Sequence, residues 1–291
     1  MKIDICVVAH NEQERVIESL VHIKNAINVT QDKVKVMVAI ITNGCTDYTV
    51  QQCLYFCESN IEFSVYNLDL GDKANAWNYF VYQVQEKDTK TITLFVDGDC
   101  FISPNAINSM LDTYNTNSQV NAIAGYPATV GGDNLFIKQR MLTEGDFAGN
   151  FYALSPSFLN RLKSLCFRLP TGLIGDDSLL VWLCGNDFSI KNSRKKENFT
   201  TAINALYYYE RLVPTSISKI KKYLTRIDRY SLRRMQQYCI RRYVDQHDFN
   251  NLPYTIEEIY HYHEYLSFKS IRWRSISAYY DLRNLLKIKK F

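Results

Sequence analysis

The chain has 291 residues, 46% hydrophobic and 22% charged, with 34 Lys/Arg against 30 Asp/Glu for a formal net charge of +4. Those proportions suit one large soluble domain, or one domain with a helical extension, and exclude a disordered or fibrous chain. No apolar run approaches the ~20 residues of a membrane-spanning helix, and the short apolar stretch 5–9, preceded by Asp4, does not read as a secretory signal.

Strand and helix patterns alternate through the first half. Strands are expected over 3–8, 34–41, 61–67, 91–96 and 120–125, with helices over 15–26, 49–58, 73–85 and 104–114 between them. Pro104 in a first helical turn suits its fixed φ and missing donor. The alternation predicts an α/β fold, a mostly parallel sheet flanked by helices on both faces. Ligands of such sheets sit at the carboxyl ends of the strands. Those ends carry Ala9-His10-Asn11-Glu12, Thr42-Asn43-Gly44-Cys45-Thr46-Asp47, Leu70-Gly71-Asp72-Lys73 and Asp97-Gly98-Asp99. The opposite ends carry less pointed material, such as Gln31-Asp32-Lys33 and Asp88-Thr89-Lys90.

From about residue 131 the alternation fades. Gly131-Gly132-Asp133-Asn134 reads as a turn or loop, 158–168 as a helix ended by Pro170, 193–198 as a charged surface loop and 202–209 as a strand. One long helix, or two, is expected over 216–243, with Ile217, Ile220, Leu224 and Ile227 as its apolar stripe. The stretch from Thr255 is rich in Tyr, Trp and Lys/Arg and reads as helical. The eight cysteines form no C-x-x-C pair, so reduced thiols and a cytoplasmic setting are expected.

Asp97 and Asp99 carry the sharpest chemical signal. Alternate strand residues point the same way, so two acids one residue apart converge and repel. A divalent cation between them and a phosphorylated ligand resolves the conflict. A calcium loop is excluded, because Ile102 and Asn108 stand where Gly and Glu are required. Glu12 can accept from ribose hydroxyls, Asn43 can offer a donor and an acceptor to a pyrimidine edge, and Lys73 can approach a base or diphosphate. Asp47 reads as a helix cap. Asp176 and Asp177 are adjacent acids at a helix-like start, and Arg226, Arg229 and Arg233 share one helix face with groups suited to phosphate oxygens.

In this order the segments resemble the family 2 glycosyltransferases of the GT-A fold, over roughly residues 1–230. Val7-Val8-Ala9-His10-Asn11-Glu12 and Asn43-Gly44-Cys45-Thr46-Asp47 look like the two nucleotide loops. Gly71-Asp72-Lys73-Ala74-Asn75-Ala76-Trp77-Asn78 looks like the G-K-x-x-A-x-N segment with one residue inserted. Asp97-Gly98-Asp99 looks like the DxD motif, and Gly175-Asp176-Asp177-Ser178-Leu179-Leu180 like the E-D-x-x-L segment.

The resemblance implies a GT-A catalytic domain over 1–215, its nucleotide-binding half about 1–130 and its acceptor-binding half about 131–215, followed by a basic, aromatic helical region over 216–291. It implies inverting transfer of a single sugar from a nucleotide sugar, a UDP-sugar, to a glycan or lipid-linked acceptor. Ala9, Asn11, Glu12, Asn43, Lys73, Asp97 and Gly98 would hold the donor, with Arg226 and Arg229 near its diphosphate. Asp99, assisted by Asp97, would hold Mn²⁺ or Mg²⁺. Asp177 would be the general base and Asp176 would orient it. Thr42, Cys45, the inserted Asp72 and Asp176 depart from the family pattern, and the tryptophan motif of processive synthases is missing. A nucleotidyltransferase of the same architecture is the first alternative, but its Gly-rich, Arg-containing opening loop is missing from 9–14. A non-catalytic membrane- or partner-binding protein on a degenerate transferase domain is the second.

Charge is divided unevenly. Residues 1–190 carry 13 Lys/Arg and 21 Asp/Glu, a net of −8, and residues 191–291 carry 21 and 9, a net of +12. A basic back half suits a diphosphate, an anionic acceptor or lipid headgroups at the inner face of a membrane. Lys269, Arg272, Trp273, Arg274, Tyr279 and Tyr280 interleave base and aromatic as a peripheral membrane contact does. The same pattern can stack on bases, but nucleic acid is the less expected partner.

Overall fold

In a computed structural model, residues 2–30, 34–85, 91–128, 132–210, 213, 215–272, 275 and 277–290 are described. Gln31-Asp32-Lys33, Asp88-Thr89-Lys90, Gly131, Trp273 and Arg274 lie outside the described residues.

The first half builds as the alternation predicts. Strands β1 (Lys2–Ala9), β2 (Lys35–Asn43), β3 (Phe63–Leu68) and β4 (Ile92–Asp97) are parallel, in spatial order β3-β2-β1-β4. Helices α1 (Val16–Asn28), α2 (Thr49–Glu58) and α3 (Lys73–Tyr79) cross between them, and α3 runs on into a π-helical turn at Phe80–Val84. A two-residue strand β5 (Phe101–Ile102) and helix α4 (Ala106–Thr116) follow the acidic pair. Strand alternation sorts the core onto two faces: Ile3, Ile5, Val7, Leu94 and Val96 pack with α1 and α4, whereas Cys6 and Phe95 face α3.

The second half completes the sheet with mixed pairing. It contains β6 (Ala122–Pro127), α5 (Gly132–Thr143), β7 (Phe151–Leu154), α6 (Pro156–Ser164), α7 (Asp176–Asn186) and β8 (Phe199–Tyr208). The sheet continues β4-β7-β6-β8-β5, with β7 antiparallel to both neighbours and β8 parallel to β6. Among the described residues it has eight strands, flanked by helices as expected.

Two expectations need correction here. Of the turn expected over 131–134, residues 132–134 instead open α5, because residues 135–143 are mostly good helix formers and Gly132 falls at the helix start rather than inside it. In α8 (Ile217–His247) the expected apolar stripe is not the buried one: Ile217 is 88% and Ile220 45% exposed. The first turns of α8 border an open cavity, with Lys219, Lys222 and Thr225 on its wall, and the buried side of the helix begins later, with Ser231, Met235, Cys239, Ile240 and Val244.

Helix α9 (Ala278–Ile288) packs on α8, and Leu285 and Ile288 join the same core cluster as Trp77, Phe158 and Leu180. Between the two helices the chain from Thr255 forms 3₁₀ turns, Ile256–Tyr265 and Phe268–Ser270. Asp281, fully buried, accepts from the Arg272 guanidinium at 2.8 and 2.9 Å and pairs with Arg234 at 3.1 Å. Burial opposes that charge, but the arginines outweigh it and hold the carboxyl well below the usual range. No helix among the described residues is long and apolar enough to cross a membrane.

Candidate active site

The carboxyl ends of β1 to β4 converge as the fold class requires. After β1, Asn11 takes a left-handed φ of 56°, and its Oδ1 accepts from Thr46 N at 2.8 Å. That bond ties the first loop to the second. Asp47, just ahead of the α2 N-cap Tyr48, accepts from Thr49 N at 3.0 Å and Oγ1 at 2.6 Å; burial opposes its charge, but these hydrogen bonds outweigh it and lower its pKa. Glu12 is pushed up to about 7, first by burial and then by repulsion from Asp99 and Asp97.

Asp97 is the last residue of β4, and Asp99 sits beyond it in a turn closed by Cys100 N to Asp97 O at 3.0 Å. The two acids therefore converge through a turn rather than through strand alternation alone. Gly98 is required for that turn: its N–H donates to Val8 O at 2.8 Å, and an added Cβ would lie 2.8 Å from Ala9 Cβ and 3.1 Å from Ala9 Cα. Lys73 Nζ bonds Asp97 Oδ1 at 2.6 Å, and Asn150 Nδ2 lies 3.4 Å from Oδ2. Burial raises Asp97 to about 6, with Lys73 opposing and Asp99 adding to the rise. Burial disfavours the Lys73 ammonium, yet Asp97 and Asp176 outweigh it and raise its pKa. The inserted Asp72 has its own task. One carboxylate oxygen caps α3 through Asn75 N at 2.6 Å, and the other accepts from Gly172 N at 2.6 Å.

That second bond anchors the strap leading to α7, and α8 grips the strap from the other side. Gln236 accepts from Ile174 N at 2.8 Å and donates to Gly172 O at 3.0 Å. Gly175, at φ 89°, lies under the Arg233 side chain and turns the chain into α7. Asp176 and Asp177 then open the helix, where its dipole favours anions. Asp176 is 5% exposed, and its Oδ2 has no partner among the described residues. Asp177 Oδ1 accepts from Ser178 N at 2.9 Å and from Arg233 at 3.0 Å, and Arg233 also bonds Ser178 Oγ.

Two cavities meet at these residues. One, about 960 Å³, is bordered by Asn11, Glu12, Lys73, Asp97, Asp176 and Arg229. The other, about 1070 Å³, is bordered by Arg140, Asp146, Trp182, Tyr209, Tyr223 and Arg241. Asp99, Asn150, Asp177, Arg226, Tyr230 and Arg233 line both. Three expected donor contacts line neither. Ala9 is buried against Gly98, Gly98 is a backbone crossing point, and Asn43 is 2% exposed with its amide donated to Ala9 O at 3.0 Å. These three hold the loops together from behind. The loop 145–152 reads from sequence as a source of acceptor contacts, but sequence reasoning did not single out Asn150 beside Asp97 or the pairing of Arg233 with Asp177. Asp97 and Asp99 are the neighbouring carboxylates of this turn that could hold a cation. No group of three or more His, Cys, Asp or Glu suited to a metal occurs among the described residues, so a cation here would take further ligands from a bound phosphate.

The family model described as glycosyl transferase family 2 matches residues 4–171, more than half of the chain. The chain belongs to that family, and it is a glycosyltransferase. No curated protein matches it. Among solved structures it is similar to the mannosyltransferase PcManGT of Pyrobaculum calidifontis in complex with GDP-Man and Mn²⁺, with a TM-score of 0.61 and 16% identity over 99% of this chain and 75% of that one. It is also similar to S. aureus TarS in complex with UDP-GlcNAc, with a TM-score of 0.54 and 12% identity over 100% of this chain and 91% of that one. At such identities the likeness is one of fold, and it extends past the family match into the C-terminal helices.

Proposed function

We propose that the chain moves a single sugar, with inversion, from a nucleotide-sugar donor of the UDP class to a glycan or lipid-linked acceptor. The observation that carries this reading is the pair Asp99 and Asp177, which line both cavities. A donor on the side of Asn11 and Glu12 and an acceptor on the side of Trp182 would meet between them. The bound GDP-Man and UDP-GlcNAc of the two fold relatives support a nucleotide sugar as donor.

The acidic turn suits Mn²⁺ or Mg²⁺. Its hard carboxylate oxygens match such cations. Asp97 is raised to about 6 by burial and by Asp99, and a cation would relieve that repulsion. When bound, the cation supplies neutralisation of the departing diphosphate. Arg226 and Arg229 on α8 add guanidinium groups on the same side.

Asp177 is the better base of the two adjacent acids. Asp176 borders the donor cavity alone, whereas Asp177 faces the acceptor side as well. Its Oδ1 is engaged by Arg233 and Ser178 N, so Oδ2 would take the acceptor hydroxyl proton. Arg233 holds the carboxylate in a fixed orientation. Asp177→Asn should slow transfer by on the order of 10²–10⁴ while keeping the rise in melting point that donor and Mn²⁺ produce. Wild-type transfer by that variant would remove Asp177 as the base.

A further inference from the structure

Helix α8 lays one stripe of side chains along the larger cavity. Tyr223, Arg226, Tyr230, Arg233, Gln237 and Arg241 follow one another at steps of three or four residues, and all of them line it. At 1.5 Å per residue that stripe runs roughly 27 Å, with Arg233, the partner of Asp177, near its middle and Arg241 about 12 Å beyond Arg233. Rings and cations alternate over most of it.

The charges on the wall do not balance. Asp146 is matched by Arg140 at 2.5 Å, and Asp177 by Arg233 at 3.0 Å. Arg194 is turned to the Gly145 carbonyl and to the Phe199 ring. Arg226 and Arg241 stand without an acidic partner among the described residues. Arg226 also borders the donor cavity and can serve the diphosphate, but Arg241 does not border it. Arg241 instead borders, with Tyr230 and Tyr238, a smaller recess of about 410 Å³. Arg241, about two helical turns past Arg233 and outside the lining of the donor cavity, is not placed to serve the donor. Its planar fork matches a carboxylate or phosphate. Tyr223, Tyr230 and Trp182 also line this cavity; such rings combine flat apolar faces with polar edges, the kind of surface a sugar ring packs against.

We propose that the acceptor is an anionic glycan, a chain bearing carboxylate or phosphodiester groups, which lies along α8 with a charged group on Arg241 and sugar rings on the tyrosines. This rests on the reading of the larger cavity as the acceptor side. Fluorescence anisotropy with four labelled hexamers tests it on the full chain: oligogalacturonate, glycerol phosphate, neutral maltohexaose and oligothymidylate. One of the two charged glycans should bind about ten-fold or more tighter than maltohexaose and lose affinity as salt screens it. Which of the two binds tells carboxylate from phosphodiester. Arg241→Ala should weaken that binding about five-fold, the worth of one exposed ionic contact, and Arg241→Lys should restore part of it. Equal binding of maltohexaose, no binding of either charged glycan, indifference to Arg241→Ala, or tighter binding of oligothymidylate would each overturn the proposal. The melting point of the wild-type chain with uridine diphosphate and Mn²⁺ is read in the same preparation. If the nucleotide binds and the charged glycans do not, the acceptor class is wrong; if the nucleotide also fails, the whole reading of the site is wrong.

Discussion

Gly98 separates the two acids because nothing larger fits there. Its missing side chain lets the turn cross β1 at Ala9, and the position of Asp99 depends on that crossing. Gly98→Ala should therefore cost about 1–3 kcal/mol of stability, as overpacking does, and should weaken Mn²⁺-dependent nucleotide binding more than Ala substitution on an exposed face. Urea unfolding and calorimetric titration with uridine diphosphate would measure the two effects. At this scale the sequence was informative wherever residue type alone set the chemistry. Two aspartates after an apolar strand point to a divalent cation, and through it to a phosphate, whatever their exact geometry. Asn43 shows the opposite case: its amide can read a base or tie two strands together, and only the packing decides that it bonds Ala9. Arg233 likewise stood on a basic face with its neighbours, and its pairing with Asp177 depends on how α8 crosses the strap.

Elements were legible where periodicity had a partner to match. The βα repeats of the first half have both their faces covered, so each strand and helix declares its period. The four-residue β7 and two-residue β5 are too short to show alternation, and β7 follows an irregular stretch rich in Gly and Asp. In α8 an apolar stripe exists but meets no core, while the buried stripe mixes Ser231, Gln236 and Cys239 with apolar residues and is masked by arginines. The link from α8 to α9 rests on Asp281. Its carboxyl is depressed below the ordinary value, so the stability it confers is present above about pH 4, the unfolded value, and is lost as pH falls through the folded one. Asp281→Ala should lower stability by about 1.5–3 kcal/mol at neutral pH, and the gap from wild type should close in acid. Urea denaturation across that range, followed by tryptophan fluorescence, checks both parts.

For the whole molecule, a ligand held between the strand ends and α8 touches parts of the chain far apart in sequence. Its binding energy should therefore raise the melting of the entire chain as one transition. At one hundred times its dissociation constant, a nucleotide sugar with Mn²⁺ should add about 2.7 kcal/mol, and chelation of the cation should remove most of that gain in a calorimetric scan. The class of fold was readable because a long alternation leaves few topologies open. The mixed second half was not, since its strands pair across long gaps in sequence and no local pattern encodes which neighbour each one meets. The strap between Gly172 and Asp177 carries a consequence of its own. The family match ends at residue 171, just before this strap, while Asp72 holds it from the front of the chain and Gln236 from the back. On the proposed assignment, the strand-end loops that meet the donor lie ahead of that seam, whereas Asp176, Asp177, Arg226 and Arg229 lie behind it and reach back to the same donor. Exchange of everything downstream between related enzymes would then disturb the grip on activated sugar together with the choice of molecule decorated, and any such graft must keep a clasp for the strap.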